Sequence, residues 1–244
     1  MALFHSPSIV RNGVILHYDA ANIKSYNTVT STSTWFDLSS SGVNGTLTNS
    51  PTFVTSASGV LNFSSSTVSY VNIPYNSQHE FLGLAPFTFE LWIKPTEDPG
   101  INQYRRLVGH ESFGATRNGY TVYVNNSIAG TYTVAAERWV LSNAIGNINF
   151  SVPSSSILGT WNHIVVVFDG AFNYIYRNGN IVSGPATVSS TATLITTNVP
   201  LSLAAYYGTG SFSGDIGIFR VYNKGLSAAE VQQNYQAQRD RYGI

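Results

Sequence analysis

No cysteine occurs in the 244 residues, which excludes disulfides and thiolate metal sites and leaves the redox compartment open. Charge is almost as scarce: Asp, Glu, Lys and Arg make up 10% of the chain and cancel to a formal net charge of zero. Such a chain carries no electrostatic footprint for nucleic acid or an anionic membrane, and neither is expected as a partner. The longest apolar run falls far short of the ~18 residues a spanning helix needs, so membrane insertion is not expected either. Residues 1–12 lack the basic and apolar regions of a secretory signal, and Pro7 interrupts the only apolar start. No solenoid-type repeat is present.

What the chain does have is a succession of short β-branched and aromatic runs separated by Gly, Asn, Asp and Ser. The organising stretch is 160–184. Ile164 to Val167 form a β-branched run closed by Asp169-Gly170, and Tyr174-Ile175-Tyr176 returns almost at once. Arg177-Asn178-Gly179-Asn180 then supplies a second turn, because Asn and Gly tolerate the positive φ of a type I′ hairpin, and Ile181-Val182 resumes the extended pattern. Three consecutive antiparallel strands are expected.

Further strands are read at Val14–Tyr18, Val60–Phe63, Tyr70–Ile73, Phe87–Pro95, Arg105–His110, Tyr120–Val124, Arg138–Leu141, Ile148–Val152, Leu201–Ala204 and Ile216–Tyr222. In 87–95, Phe87, Phe89, Leu91 and Ile93 share one face, and Thr88, Glu90, Trp92 and Lys94 the other. Only the tail reads as helical. Ser227 and Glu230 have capping-box spacing, Val231 and Tyr235 stand four apart, and Gly243 is a stop. The helix is expected at the sandwich edge, where it would blunt an open strand, with residues 239–242 turned toward a neighbour as the alternative.

These motifs carry a family resemblance. Trp161-Asn162-His163, the Val run, Asp169-Gly170 and Tyr176-Arg177-Asn178-Gly179 resemble the central meander of concanavalin A-like, laminin G-like jelly-roll domains. Phe87–Pro95 and the segment from Phe212 to Ser227 are similar to further signature strands of that family, so the likeness runs from about Val14 onward. Asp19-Ala20, Ser25-Tyr26, Trp35-Phe36-Asp37-Leu38 and Asn44-Gly45-Thr46-Leu47 are similar to the opening of jelly-roll domains in tailed-bacteriophage structural proteins. The opening also reads as a lid, with Asp19 and Asp37 accepting loop amides and Trp35 and Leu38 as anchors. Calcium held by Asp19 and Asp37 is the competing reading; no D-x-D-x-D run supports it, and no cofactor is otherwise expected.

A glycosidase would need two carboxylates about 5 to 10 Å apart across the sugar. The laminarinase-like branch of the family places them as E-x-D-x-x-E, which is absent. Glu90 stands alone on its strand, and Glu111 would have to approach from another. No G-x-S-x-G elbow or H-E-x-x-H helix is present, and His163, alternating with Trp161, Val165 and Val167, reads as structural. Where many relatives read Ile-Asp-Glu in the closing strand, this chain has Ile216-Gly217-Ile218, which weakens a calcium-dependent lectin reading. Binding is the better-supported class. Trp92, Tyr123, Tyr206 and Tyr207 are the candidate sugar platforms, against the plainer reading of aromatics as core.

The expectation is therefore an all-β concanavalin A-like jelly-roll sandwich of two antiparallel sheets. Residues 1–12 form an N-terminal arm, 13–226 the jelly-roll domain and 227–244 a helix packed on it. The function expected is that of a non-enzymatic phage virion surface protein, in capsid decoration or a tail fibre. Its partners would be other virion proteins or host surface glycans, and it would be a homo-oligomer on the virion surface. The alternatives are an extracellular carbohydrate-binding lectin module outside a virion and a glycoside hydrolase of the same fold.

Overall fold

The computed structural model describes residues 7–30, 32–113, 116–188, 197–206 and 208–244. Among them are sixteen strands and one α-helix. In chain order the strands are β1 Val14–Asp19, β2 Thr34–Trp35, β3 Gly45–Thr48, β4 Thr52–Val54, β5 Val60–Phe63, β6 Tyr70–Ile73, β7 Phe87–Pro95 and β8 Tyr104–Phe113. There follow β9 Arg117–Asn125, β10 Thr131–Val140, β11 Asn143–Pro153, β12 Asn162–Phe168, β13 Phe172–Arg177, β14 Asn180–Thr187, β15 Leu201–Leu203, β16 Gly214–Tyr222 and the helix α1, Ala228–Tyr242. The fold is an all-β jelly-roll sandwich with a single short C-terminal helix.

Sheet 1 has the order β14-β13-β12-β7-β16-β5-β4, with β1 also paired to β16; sheet 2 runs β11-β10-β9-β8-β15-β6-β3-β2. The meander of the organising stretch is β12-β13-β14, and its Asn178 and Gly179 adopt φ of 51° and 78°, as a type I′ turn demands. The interior face of β12 presents Ile164, Val166 and Phe168 to the core between the sheets, where Phe81, Phe87, Phe89 and Tyr120 form an aromatic cluster with centroids 4.6 to 6.4 Å apart. Its other face, Val165 and Val167, packs with Tyr176, Tyr222, Leu226 and Val231. Burial on both faces is why the strand reads as an unbroken Val run rather than an alternation.

The helix covers the outer face of sheet 1 and not the sandwich edge. Ser227 caps it, the Ser227 and Glu230 side chains bonding each other's backbone amides, and Gly243 closes it in the left-handed region. Tyr242 stacks on Trp92 at 4.2 Å, Tyr235 lies 6.0 Å from the same ring, and Arg241 reaches back to Asp19 at 2.7 Å and to the carbonyls of Ala57 and Gly59. The tail residues Arg241 and Tyr242 are thus tied within the chain. Gly217 makes this docking sterically feasible, since a Cβ there would overlap the Tyr242 hydroxyl. The Ile216-Gly217-Ile218 departure from the family pattern is explained by that contact.

Several strands run beyond their expected bounds, β8, β9, β10 and β11 among them, and β10 departs furthest. Arg138–Leu141 is the end of the longer β10, and Leu141 and Ser142, both at positive φ, form the turn into β11. Asn118 and Arg117 hold that turn, accepting from the amides of Leu141 (2.8 Å) and Ser142 (2.9 Å).

Candidate functional site

Two clusters of polar and aromatic side chains lie on opposite sides of the sandwich. The first is buried beneath α1. Glu90 on β7 is fully inaccessible and accepts from Arg220 (3.0 Å), Tyr222 Oη (2.9 Å) and Asn234 Nδ2 (2.9 Å), with His163 Nε2 at 3.0 Å. Burial alone would raise the Glu90 carboxyl, but the Arg220 charge and these hydrogen bonds bring it down to about 2. Asn234 Oδ1 accepts in turn from the Val10 amide, so one carboxylate ties the arm, the sheet and the helix together. Glu90 is a structural ion-pair centre with no surface open to a substrate.

The second cluster is on the outer face of sheet 2, where alternation along β8, β9 and β10 brings polar and aromatic groups side by side. Opposite the core residues Val122, Val124, Val134 and Ala136 stand Tyr123 on β9 and Glu137 and Trp139 on β10. Glu137 accepts from Tyr123 Oη at 2.7 Å and from Trp139 Nε1 at 2.9 Å. Burial, then the hydrogen bond to Glu137, raises the Tyr123 phenol well above its ordinary value, so it remains a donor. The Arg117 guanidinium lies 3.8 Å over the Trp139 ring, and that of Arg106 lies 5.3 Å over Tyr123, with the half-exposed Tyr104 edge-on to Tyr123 at 5.2 Å.

Both arginines are fixed from below by one buried carboxylate. Glu111 Oε2 holds Arg117 through Nε (2.8 Å) and Nη2 (2.5 Å), and Oε1 holds Arg106 Nε at 3.3 Å. Tyr206 Oη donates to the Glu111 carbonyl at 3.1 Å, and its ring lies beside Gly109, where a Cβ would come within 3.3 Å of it. The result is a rigid, charge-balanced surface: ring faces and edges flanked by guanidinium donors and a carboxylate acceptor. Stacking against sugar C–H faces and hydrogen bonding to hydroxyls is the chemistry such a surface offers.

Of the residues singled out from sequence, the structure brings Tyr123 and Tyr206 to this face. Trp92 is corrected: it is fully buried between Tyr242 and His163, with no face open to a sugar. Tyr207 lies outside the described residues. Asp37 accepts from the amides of His17, Ser39 and Val43 and from the Ser39 hydroxyl, and Asp19 from the Ala21 amide and Arg241, so both organise the lid and the helix end. Among the described residues no group of three or more His, Cys, Asp or Glu is placed to hold a metal ion, and no helix is long and apolar enough to cross a membrane. Tyr104, Arg106, Arg117, Glu137 and Trp139 were not singled out from sequence. The signal was the alternation Thr133, Ala135, Glu137, Trp139, hidden because the strand was read only from Arg138 onward.

A family model described as the concanavalin A-like lectin/glucanases superfamily matches residues 64–232, more than half of the chain. The chain belongs to this superfamily. Among solved structures it is similar to the binding domain of paraclostridial mosquitocidal protein 1 (TM-score 0.68, 15% identity, 91% of this chain and 52% of that one). It is also similar to the binding domain of botulinum neurotoxin DC, solved in complex with SialylT (0.66, 13%, 93% and 52%), and to that of serotype G (0.65, 16%, 92% and 51%). The chain thus spans about half the length of these structures, and at such identities the likeness is one of fold. No curated protein sequence matches.

These comparisons correct one expectation. The solved structures named above are toxin binding domains, and the opening pattern that suggested a phage protein is accounted for by lid hydrogen bonds around Asp37. The assignment to a phage virion, on capsid or tail fibre, does not stand. Glu90 and Glu111, the two carboxylates weighed for catalysis, are fully buried on opposite outer faces of the sandwich and engaged by arginines, so they do not form a carboxylate pair across a sugar.

Proposed function

We propose that this lectin-like domain is a carbohydrate-binding module that acts outside the cell on neutral surface glycans, through the outer face of sheet 2. The observation that carries the reading is Glu137 bridging Tyr123 and Trp139 while Arg106 and Arg117 lie against those two rings. The side chains are held in place before any ligand arrives, so little conformational entropy is lost on binding. Two arginines and two glutamates balance, which favours an uncharged ligand. A shallow face of this kind binds one sugar weakly, and the homo-oligomer expected from the sequence would raise its avidity.

A glycan array followed by calorimetry on the strongest neutral oligosaccharide tests this. Trp139→Ala and Tyr104→Ala should each weaken binding at least tenfold, and Tyr104, half-exposed, is replaceable without unfolding the domain. Binding that survives both substitutions unchanged would sink the proposal, as would silence across the array.

A further inference from the structure

On the other side of the molecule, where the arm passes the lid, an open cavity of about 370 Å³ lies between β1 and residues 38–40. Its polar lining is Arg11, His17, Asn22, Ser39 and Ser40, with Ile9, Val14 and Leu38 supplying apolar walls. We propose that this cavity is a second ligand site, independent of sheet 2, that takes a single anionic sugar unit. The volume is at the lower end of the small-molecule range, the size of one sugar rather than a chain.

The charge comes from Arg11. No carboxylate lines the cavity, and among the described residues no ion pair engages the exposed Arg11 guanidinium. Asp37, behind Ser39, does not compete for the site, because four protein donors already occupy its two oxygens. His17 contributes no charge. Burial, and then Arg220 and Arg11, hold its imidazole at about 3 against the opposing pull of Glu90, and its Nε2 has no hydrogen-bond partner among the described residues.

The remaining polar groups suit hydroxyls. Asn22 Oδ1 is taken by the Lys24 amide, which leaves the Asn22 NH2 as a donor, and the Ser40 hydroxyl makes no hydrogen bond within the described residues. The lid wall is rigid in advance: the Leu38 amide donates to the His17 carbonyl at 2.8 Å and Ser41 Oγ to the Ile15 carbonyl at 2.7 Å. Apolar Leu38 and Val14 give the C–H faces of the sugar a surface.

The test is a titration followed by amide chemical shifts, with glucuronate, glucose 6-phosphate, glucose and inorganic phosphate as probes. At least one anionic sugar should shift residues 11–22 and 38–40, bind at least tenfold more tightly than glucose, and lose that margin in Arg11→Ala. Trp139→Ala should leave this binding unchanged, which separates it from the sheet 2 reading. Equal affinity for glucose, equal affinity for inorganic phosphate, no binding of either anionic sugar, or an Arg11→Ala variant that binds as wild type would each overturn the proposal. A melting curve of Arg11→Ala, expected to match wild type because the side chain is exposed, guards against unfolding as the cause.

Discussion

Gly217 lies directly under the Tyr242 hydroxyl, so the closing strand and the last turn of the helix meet at a point where no side chain fits. Gly217 sits at the register shift between β16 and β7 but not at positive φ, and its requirement is therefore one of space rather than of φ. Gly217→Ala should destabilise the domain by about 1 to 3 kcal/mol, the usual cost of overpacking a filled site. A double-mutant cycle in urea decides the mechanism. In a Tyr242→Ala background the same alanine should cost much less, and equal costs in both backgrounds would mean that the helix contact is not the reason for the glycine.

Glu90→Gln should be far more damaging than a loss of one hydrogen bond. The substitution leaves Arg220 buried without its counter-charge while His163, Tyr222 and Asn234 lose an anionic acceptor. Removing one partner of a buried pair costs about 3 to 5 kcal/mol. The denaturation midpoint should fall accordingly, and the arm should loosen with the helix because Val10 is bonded to Asn234. Faster hydrogen exchange at Val10 and along α1, relative to sheet 2, is the expected pattern; uniform acceleration would mean that Glu90 supports the whole core equally.

How much of this was legible depends on how local the cause was. The hairpin at Asn178-Gly179 and the capping box at Ser227 were readable because the residues that specify them are neighbours in sequence. The turn at Leu141-Ser142 was not, since neither residue favours positive φ and the turn is held by Asn118 and Arg117 from another strand. Missing that turn hid the face on which Glu137 and Trp139 alternate. Trp92 was misread for a related reason. Its cover, Tyr235 and Tyr242, comes from a helix about 150 residues away whose docking face is made of Val231, Asn234 and tyrosines rather than an apolar stripe.

Acid should weaken the fold in a defined window. His79 is 1% exposed, neither ring nitrogen has a partner among the described residues, and burial followed by the neighbouring His110 lowers its value from 6.5 to about 4. The unfolded chain therefore binds a proton that the folded one refuses. Stability is fully present above pH 6.5 and declines as the pH falls toward 4, by about 3 kcal/mol at most for this one group. Glu90, lowered from 4.5 to about 2, adds a further loss that begins near pH 4.5 and continues toward 2. Urea midpoints of His79→Gln and wild type at pH 7, 5.5 and 4.5 check the assignment. The wild type should lose more stability than the variant between the first and last, and parallel curves would place the acid sensitivity elsewhere.

Calcium should have no effect on the lid. A bound ion would need oxygens from Asp19 and Asp37, and those of Asp37 already accept from three amides and one hydroxyl at 2.7 to 3.1 Å. Turning those acceptors toward a metal would strand the amides of His17, Ser39 and Val43 in a part-buried loop, at about 1 to 3 kcal/mol each. Melting temperatures with millimolar calcium or with a chelator should coincide, while Asp37→Ala should lower stability by a few kcal/mol in both conditions alike. Asn at the same position retains one acceptor oxygen and should recover part of that loss. A chelator-induced drop in wild type that disappears in Asp37→Ala would instead show that the carboxylate gives up its amides to a cation.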